Sequence, residues 1–156
     1  MKQQNVIFDL DGTLADIEDR RQLCTKENGK MDWDKFFDPE NIQLDRPNLP
    51  VIKMAQTLSK EGFRIIIFSG RSKATKKATM DWLKKYGVPY NILKMRPTSD
   101  KWKYMPDDKL KQFWLDDLFP ELDKNNILCI FDDRQKVVDM WRKNGLICFQ
   151  VAPGDF

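Results

Sequence analysis

Short unbroken apolar runs alternate along the chain with longer segments whose apolar residues recur at helical spacing. That alternation predicts an α/β fold with a mainly parallel sheet. Val6-Ile7-Phe8 reads as the first buried strand. Arg64-Ile65-Ile66-Ile67-Phe68 is a second, apolar on both faces as a central parallel strand should be. Residues 90–95 supply a short third strand, Ile127-Leu128-Cys129-Ile130-Phe131 a fourth, and Leu146–Val151 a last one. Helices are expected over 14–28, ending at Asn28-Gly29, and over 51–61, stopped by Gly62. Further helices are expected over 72–86, lysine-rich and closed by Gly87, from Pro106-Asp107-Asp108 to about Leu118, and over 134–144, ended by Asn144-Gly145. Residues 30–50, punctuated by Asp38-Pro39, Arg46-Pro47 and Leu49-Pro50, read as an irregular surface excursion, and 97–106 as a loop. Residues 1–156 are thus expected to form one three-layer, Rossmann-like domain.

A chain of 156 residues can bury roughly two-thirds of its unfolded surface, enough for its own core. With 41% hydrophobic and 33% charged residues, the composition is that of an ordinary globular protein. No stretch approaches the roughly 20 apolar residues of a membrane helix, and the N-terminus lacks the features of a signal peptide. A cytoplasmic location without membrane association is therefore expected. Absences narrow the chemistry further. There is no histidine, which removes Ser-His-Asp and Cys-His catalysis and histidine-based zinc sites. Cys24, Cys129 and Cys148 are odd in number, widely spaced and without C-x-x-C, so neither a disulfide framework nor a zinc cluster is expected. None has an arginine six positions later, and no G-x-x-x-x-G-K-[ST] occurs, so cysteine phosphatases and P-loop kinases are excluded. Carboxylate is what remains abundant.

Three central strands end in polar residues: Asp9-Leu10-Asp11-Gly12-Thr13, Ser69-Gly70-Arg71 and Asp132-Asp133-Arg134. Ligands of open parallel sheets bind at the carboxyl ends of strands, so these segments should converge. Four carboxylates in one cleft repel one another unless a cation lies among them, and a hard divalent ion with oxygen ligands, Mg²⁺, answers that need. Gly12 lets the backbone turn sharply after Asp9 and Asp11. Taken alone, D-x-D-G-T is also an ordinary Asx-type turn.

Phe8-Asp9-Leu10-Asp11-Gly12-Thr13 resembles the first motif of the haloacid dehalogenase-like phosphohydrolases. Ser69 fits the second motif, a lysine near 110 the third and Asp132-Asp133 the fourth. Within that superfamily, three runs resemble the 3′-phosphatase domains of T-even bacteriophage polynucleotide kinase-phosphatases. They are Ile67-Phe68-Ser69-Gly70-Arg71, the segment from Asp132 to Arg142, and Gln150-Val151-Ala152-Pro153-Gly154-Asp155-Phe156. The chain departs from that family in lacking the kinase half. The resemblance implies a haloacid dehalogenase-like fold with a small or absent cap. It also implies Asp9 as nucleophile, forming an aspartyl-phosphate, and Asp11 as general acid and then base. The implied Mg²⁺ ligands are the Asp9 carboxylate, the Asp11 backbone carbonyl and the Asp132-Asp133 pair, with Ser69 and a lysine holding the phosphoryl oxygens. Lys109 and Lys111 are both candidates for that lysine. The family pattern of an acid followed four residues later by lysine favours Lys111, with Asp107 orienting it.

Arg20 matches an arginine that the family carries shortly after the first motif. Arg20 and Arg71 are both candidates to bind the substrate's phosphate or its neighbouring backbone, although Arg20 reads equally as an exposed neighbour of Arg21. Thr13 either hydrogen-bonds the nucleophile's loop or caps the next helix, and Arg134 reads as a helix-start residue. Residues 71–111 hold 12 Lys or Arg against 4 Asp within a chain of net charge +3, which fits either a polyanionic partner or a solvated lysine-rich helix face. Trp82, Trp114 and Trp141 are expected in the core. Trp33, Phe36 and Phe37 read as a satellite cluster or a wall for a base, and Trp102 as the better candidate to stack on a nucleobase. The leading expectation is a Mg²⁺-dependent phosphatase acting on a 3′-phosphorylated polynucleotide end. A nucleotidase or general small-phosphomonoester phosphatase is the alternative, and a catalytically inactive nucleic-acid-binding module a second. No protein partner is inferred from the sequence.

Overall fold

A computed structural model describes residues 4–120 and 124–154 of the chain. Asp155 and Phe156, which close the terminal run quoted above, lie outside the described residues. The elements are β1 (Asn5–Asp9), β2 (Ala15–Asp16), α1 (Glu18–Cys24), α2 (Trp33–Phe36), β3 (Arg46–Pro47), α3 (Leu49–Lys60) and β4 (Arg64–Ser72). They continue with α4 (Lys76–Lys85), β5 (Ile92–Arg96), α5 (Asp100–Lys103), α6 (Asp107–Leu118), β6 (Ile127–Asp132), α7 (Gln135–Lys143) and β7 (Cys148–Gln150). The main sheet has the order β5-β4-β1-β6-β7, with every pairing parallel. Helices cover both of its faces, giving the three-layer α/β architecture that the sequence predicts.

The period-two alternation of the central strands explains the layering. Val6, Phe8, Ile65 and Ile67 face one core, shared with Val51, Ile52 and Ala55 of α3 and Trp82 and Leu83 of α4. Ile7, Ile66 and Phe68 face the other, shared with Leu110, Trp114 and Leu115 of α6 and Val138 and Trp141 of α7. Because β1 lies between β4 and β6, with Asp9 paired to Phe68 and Phe8 to Phe131, the three polar strand ends emerge side by side.

Three expectations need correction. The helix expected over 14–28 is confined to Glu18–Cys24. Gly12 adopts φ +84°, Gly12 N donates to Ala15 O, and Ala15-Asp16 pairs antiparallel with Arg46-Pro47, so residues before Glu18 are taken up by a turn and a short strand. The segment 30–50 runs largely over the surface, as expected, but it is not irregular throughout. It forms α2, a 3₁₀ turn over Pro39–Leu44 and β3, and it buries Ile42 and Asp45. Irregular backbone can be buried here because side chains satisfy it: Trp82 Nε1 donates to Asp45 O at 3.0 Å. The loop expected over 97–106 contains α5. Among the described residues no helix is long and apolar enough to cross a membrane.

Candidate active site

Asp9, Asp132 and Asp133, delivered by the ends of β1 and β6, each place one carboxylate oxygen within 4.8 Å of the others, and all three residues are buried. Lys111 from α6 enters this group. Its Nζ donates to Asp9 Oδ1 at 2.7 Å and to Asp132 Oδ2 at 3.0 Å. Lys109, two positions earlier on the same helix, is exposed. Thr13 Oγ1 lies 3.1 Å from Asp9 Oδ2 and 3.3 Å from Asp133 Oδ1. Trp141 Nε1 donates to Asp132 Oδ2 at 3.1 Å, and the Asp133 backbone N–H donates to Asp132 Oδ1 at 2.9 Å. One lysine faces three buried carboxylates. Burial, reinforced by the charges of Asp132 and Asp133 and only partly opposed by Lys111, pushes Asp9 well above the usual carboxylate range. Burial and the Asp132 charge push Asp133 up as well. Lys111 is raised despite burial, because Asp132 and Asp9 favour its charged form. A cluster with excess negative charge and only oxygen donors fits a hard divalent cation.

The turn that builds the cluster requires glycine. A Cβ on Gly12 would lie 2.2 Å from Asp133 Oδ2 as well as facing the positive φ. The chain's far end closes the same corner. Val151 N donates to Asp132 O, Gln150 Nε2 to Asp133 O and Gln135 N to Gly154 O, and a Cβ on Gly154 would lie 2.1 Å from Asp133 O.

Asp11 is oriented differently from Asp9. Three hydrogen bonds converge on its Oδ1: Arg20 Nη2 at 3.0 Å, Arg71 Nε at 2.8 Å and Arg71 Nη2 at 2.6 Å. Burial alone would raise its pKa, but the two guanidiniums outweigh burial and lower it. Asp11 is absent from the three-carboxylate group, since its side chain is committed to the arginines. Arg20 and Arg71, expected as phosphate forks, are themselves fully buried and are shared with a residue the sequence reading missed. Asp45 accepts from Arg20 Nε at 3.0 Å and from Arg71 Nη2 at 2.6 Å. Burial pushes Asp45 up to about 6 against the pull of both arginines. Arg71 is raised by Asp11 and Asp45 in spite of its burial. No periodicity marks Asp45 as buried, and its neighbour Arg46 is exposed.

The other walls come from β4, β5 and α6. Ser69 is buried at the end of the apolar part of β4, where its Oγ accepts from Arg71 N at 3.2 Å. Asp107 does not hydrogen-bond Lys111. It accepts from Arg96 Nη2 and, at 2.9 Å, from Arg134 Nη1. Arg96 also donates to the carbonyls of Gly70, Trp102 and Met105, so it fixes the 97–106 segment against β4. A Cβ on Gly70 would lie 2.8 Å from Asp107 Oδ1, so glycine is what admits this carboxylate. Arg96 follows directly on the third strand's apolar residues. The rule that ligand sites gather at strand ends, applied there, would have pointed to it.

Asp9, Asp11, Lys111, Asp132 and Asp133 line a cleft of about 920 Å³, whereas Thr13, Arg20, Asp45 and Ser69 are not among its lining residues. Of the 12 basic residues between 71 and 111, Arg71, Arg96, Lys103 and Lys111 line it, while Lys76, Lys77, Lys84 and Lys85 form an exposed face of α4 away from it. The basic stretch is therefore divided between site and solvated surface. Trp102 is not on the cleft wall. It packs on Phe113, with ring centroids 4.6 Å apart, and against the core. Trp33, Phe36, Phe37 and Tyr104 line the cleft instead.

Known proteins resemble this chain to different extents. A protein of Autographa californica nuclear polyhedrosis virus, inferred to be a bifunctional polynucleotide kinase/RNA ligase, is 33% identical over 141 residues, 88% of this chain and 17% of the viral protein. A chain of the solved Pnkp1/Rnl/Hen1 complex superposes with a TM-score of 0.74 at 35% identity, covering 98% of this chain and 47% of that one. This chain thus spans less than half the length of either relative. A predicted phosphatase from Clostridium acetobutylicum, 14% identical with a TM-score of 0.70, shares the fold over 96% of this chain and 85% of its own. The model of the family described as the phosphatase domain of polynucleotide kinase PNKP matches residues 3–156. The chain belongs to that family and is a phosphatase of the haloacid dehalogenase-like type.

Proposed function

We propose that the chain is a single-domain, Mg²⁺-dependent phosphomonoesterase that removes the 3′-phosphate from a polynucleotide end. The observation that carries this reading is the meeting of Asp9, Asp132, Asp133 and Lys111 at the floor of an open cleft. Asp9, Asp132 and Asp133 would hold the cation, with Asp11 offering its backbone carbonyl rather than its side chain. A bound divalent cation supplies the positive charge that lets a phosphate dianion approach a carboxylate.

Asp9 attacks phosphorus in line, so its oxygen–phosphorus bond forms while the bond to the leaving oxygen breaks. Asp11 gives that leaving oxygen its proton. Water then attacks the aspartyl-phosphate, Asp11 takes a proton from it, and inorganic phosphate and free Asp9 result. The two guanidiniums that lower the Asp11 pKa favour its carboxylate form, the state that takes the proton from water. Among the described residues, the hydrogen bonds to the Asp11 carboxylate all land on Oδ1, which leaves Oδ2 to carry the moving proton. Arg20 and Arg71 act in this reading by orienting Asp11, and Asp107 by placing Arg96 and Arg134 on the cleft wall. Ser69, Lys111 and Thr13 hold the phosphoryl oxygens and Asp9. Three free, buried cysteines suit a reducing cytoplasm.

The family and the cleft's volume support a polynucleotide end over a small ester. The likeness to chains of the Pnkp1/Rnl/Hen1 RNA repair complex extends the proposal to RNA ends and to protein partners. Phosphate release from oligonucleotides bearing 3′-phosphate, 5′-phosphate or 2′,3′-cyclic ends, with and without Mg²⁺, tests the reading. Release confined to 3′-phosphate and lost in Asp9→Asn supports it. Full activity of Asp9→Asn refutes the covalent route, and preference for free nucleotides refutes the substrate.

A further inference from the structure

Trp33 is a large apolar side chain left 59% exposed on the wall of a cleft that also carries the charged cluster. It is nonetheless firmly placed. Its ring stacks on Phe37, with centroids 5.8 Å and planes 18° apart, and meets Phe36 edge-on at 5.6 Å. Phe36 is buried, with the Arg20 guanidinium 4.2 Å from its ring centroid and Arg20 Nη1 donating to its carbonyl at 3.2 Å. Arg20 in turn clamps Asp11. The exposed indole therefore stands on a scaffold continuous with the reaction centre.

The cleft is larger than a phosphoryl group requires. Its 920 Å³ lies at the upper end of the roughly 300–1,000 Å³ that pockets for drug-sized ligands span. Arg21, Arg96, Lys103 and Arg134 line the same space, which suits a chain of phosphates leaving the site. An aromatic face beside a cationic groove is how proteins hold single-stranded nucleic acid. Tyr104 is also exposed on this cleft, but the ring contact recorded for it is the Lys103 ammonium 5.5 Å from its centroid, not an aromatic scaffold.

We propose that Trp33 is the platform on which the terminal nucleobase of the substrate stacks while its phosphate lies at Asp9. This rests on the reading of the chain as a polynucleotide-end phosphatase. It makes Trp33 a specificity-determining residue for single-stranded ends, where the terminal base is free to leave its own stack.

The test compares kcat/KM on a single-stranded, 3′-phosphorylated oligonucleotide with kcat/KM on the same oligonucleotide ending in an abasic residue. In the wild type the base-bearing end is preferred by roughly 5- to 150-fold, the span of one base–aromatic stack. In Trp33→Ala that ratio falls towards one, mostly through KM, whereas Trp33→Phe and Tyr104→Ala keep most of it. A merely structural Trp33 would lower both substrates equally and preserve the ratio, which overturns the proposal. So does a ratio that collapses in Tyr104→Ala and survives in Trp33→Ala. A wild type active on both ends without preference refutes the platform alone. A wild type inert on every oligonucleotide refutes the substrate reading and the platform with it.

Discussion

Gly12→Ala probes the acidic cluster without removing a ligand. The added Cβ would lie 2.2 Å from Asp133 Oδ2 and 2.6 Å from its Cγ, at a backbone φ of +84°. The conformation costs about 1–2 kcal/mol for a residue with a Cβ. Contact with an entire carboxylate is relieved only by swinging Asp133 aside, away from Thr13 and the other two aspartates. In a protein of this size each kcal/mol moves Tm by about 2–4 °C, so the metal-free variant should melt about 2–8 °C below the wild type. The larger effect should appear with Mg²⁺. At a free concentration a hundred times Kd, the wild type gains about 2.7 kcal/mol. If displacing Asp133 weakens binding by the 10- to 100-fold typical of disturbed ligand shells, the gain falls to about 0.4–1.4 kcal/mol at the same concentration. Melting curves followed by tryptophan fluorescence, with and without MgCl₂, measure both quantities. A variant that Mg²⁺ stabilises as much as the wild type refutes the place of Asp133 at the cation. An unchanged metal-free Tm refutes the backbone argument.

Lys111→Met should lower kcat by roughly 100- to 1,000-fold, the effect of losing one preorganised charge at a reaction centre, while Lys109→Met stays near the wild type. Equal losses in steady-state assays of the two would contradict the assignment. Arg96→Ala strips the carbonyls of Gly70, Trp102 and Met105 of their donor. It should cost about 2–3 kcal/mol in urea denaturation, and a loss below about 0.5 kcal/mol would mean that the 97–106 segment is held otherwise. Asp9 and Asp133 both have pKa values raised above 3.8 in the metal-free fold, so the folded state binds more protons than the unfolded one. Their contribution to stability is therefore full below pH 3.8 and is lost as pH rises through the raised values. The increase in Tm on adding Mg²⁺ should accordingly grow as pH rises above about 4, and a flat increment across buffered melts would count against the cation site.

The parts of this site that were legible in the sequence lie at the ends of strands. An apolar run that stops in Asp9, Ser69 or Asp132 announces both an element and the sheet edge where it delivers its chemistry. Helical spacing then separates Lys111, which reaches the carboxylates, from exposed Lys109. What was hidden depends on contacts between segments without periodicity. Asp45 lies in a proline-punctuated stretch, and it is buried because two arginines and an indole from elsewhere converge on it. Arg20 has the sequence context of a surface residue, and only the tertiary arrangement of α1 against Phe36 and Asp11 encloses it. The aromatic candidates exchanged places for a related reason. Trp102 found a partner in Phe113, while Trp33 packs on neighbours so close in sequence that its far side stays open.

The return of residues 150–154 to the acidic corner makes the catalytic floor hostage to the last stretch of described chain. Gln150, Val151 and Gly154 grip the backbone of residues 132–135 like a clasp. Substitutions at Gln150, Val151 or Gly154 thus bear on the seating of two aspartates that lie some twenty residues earlier in the chain.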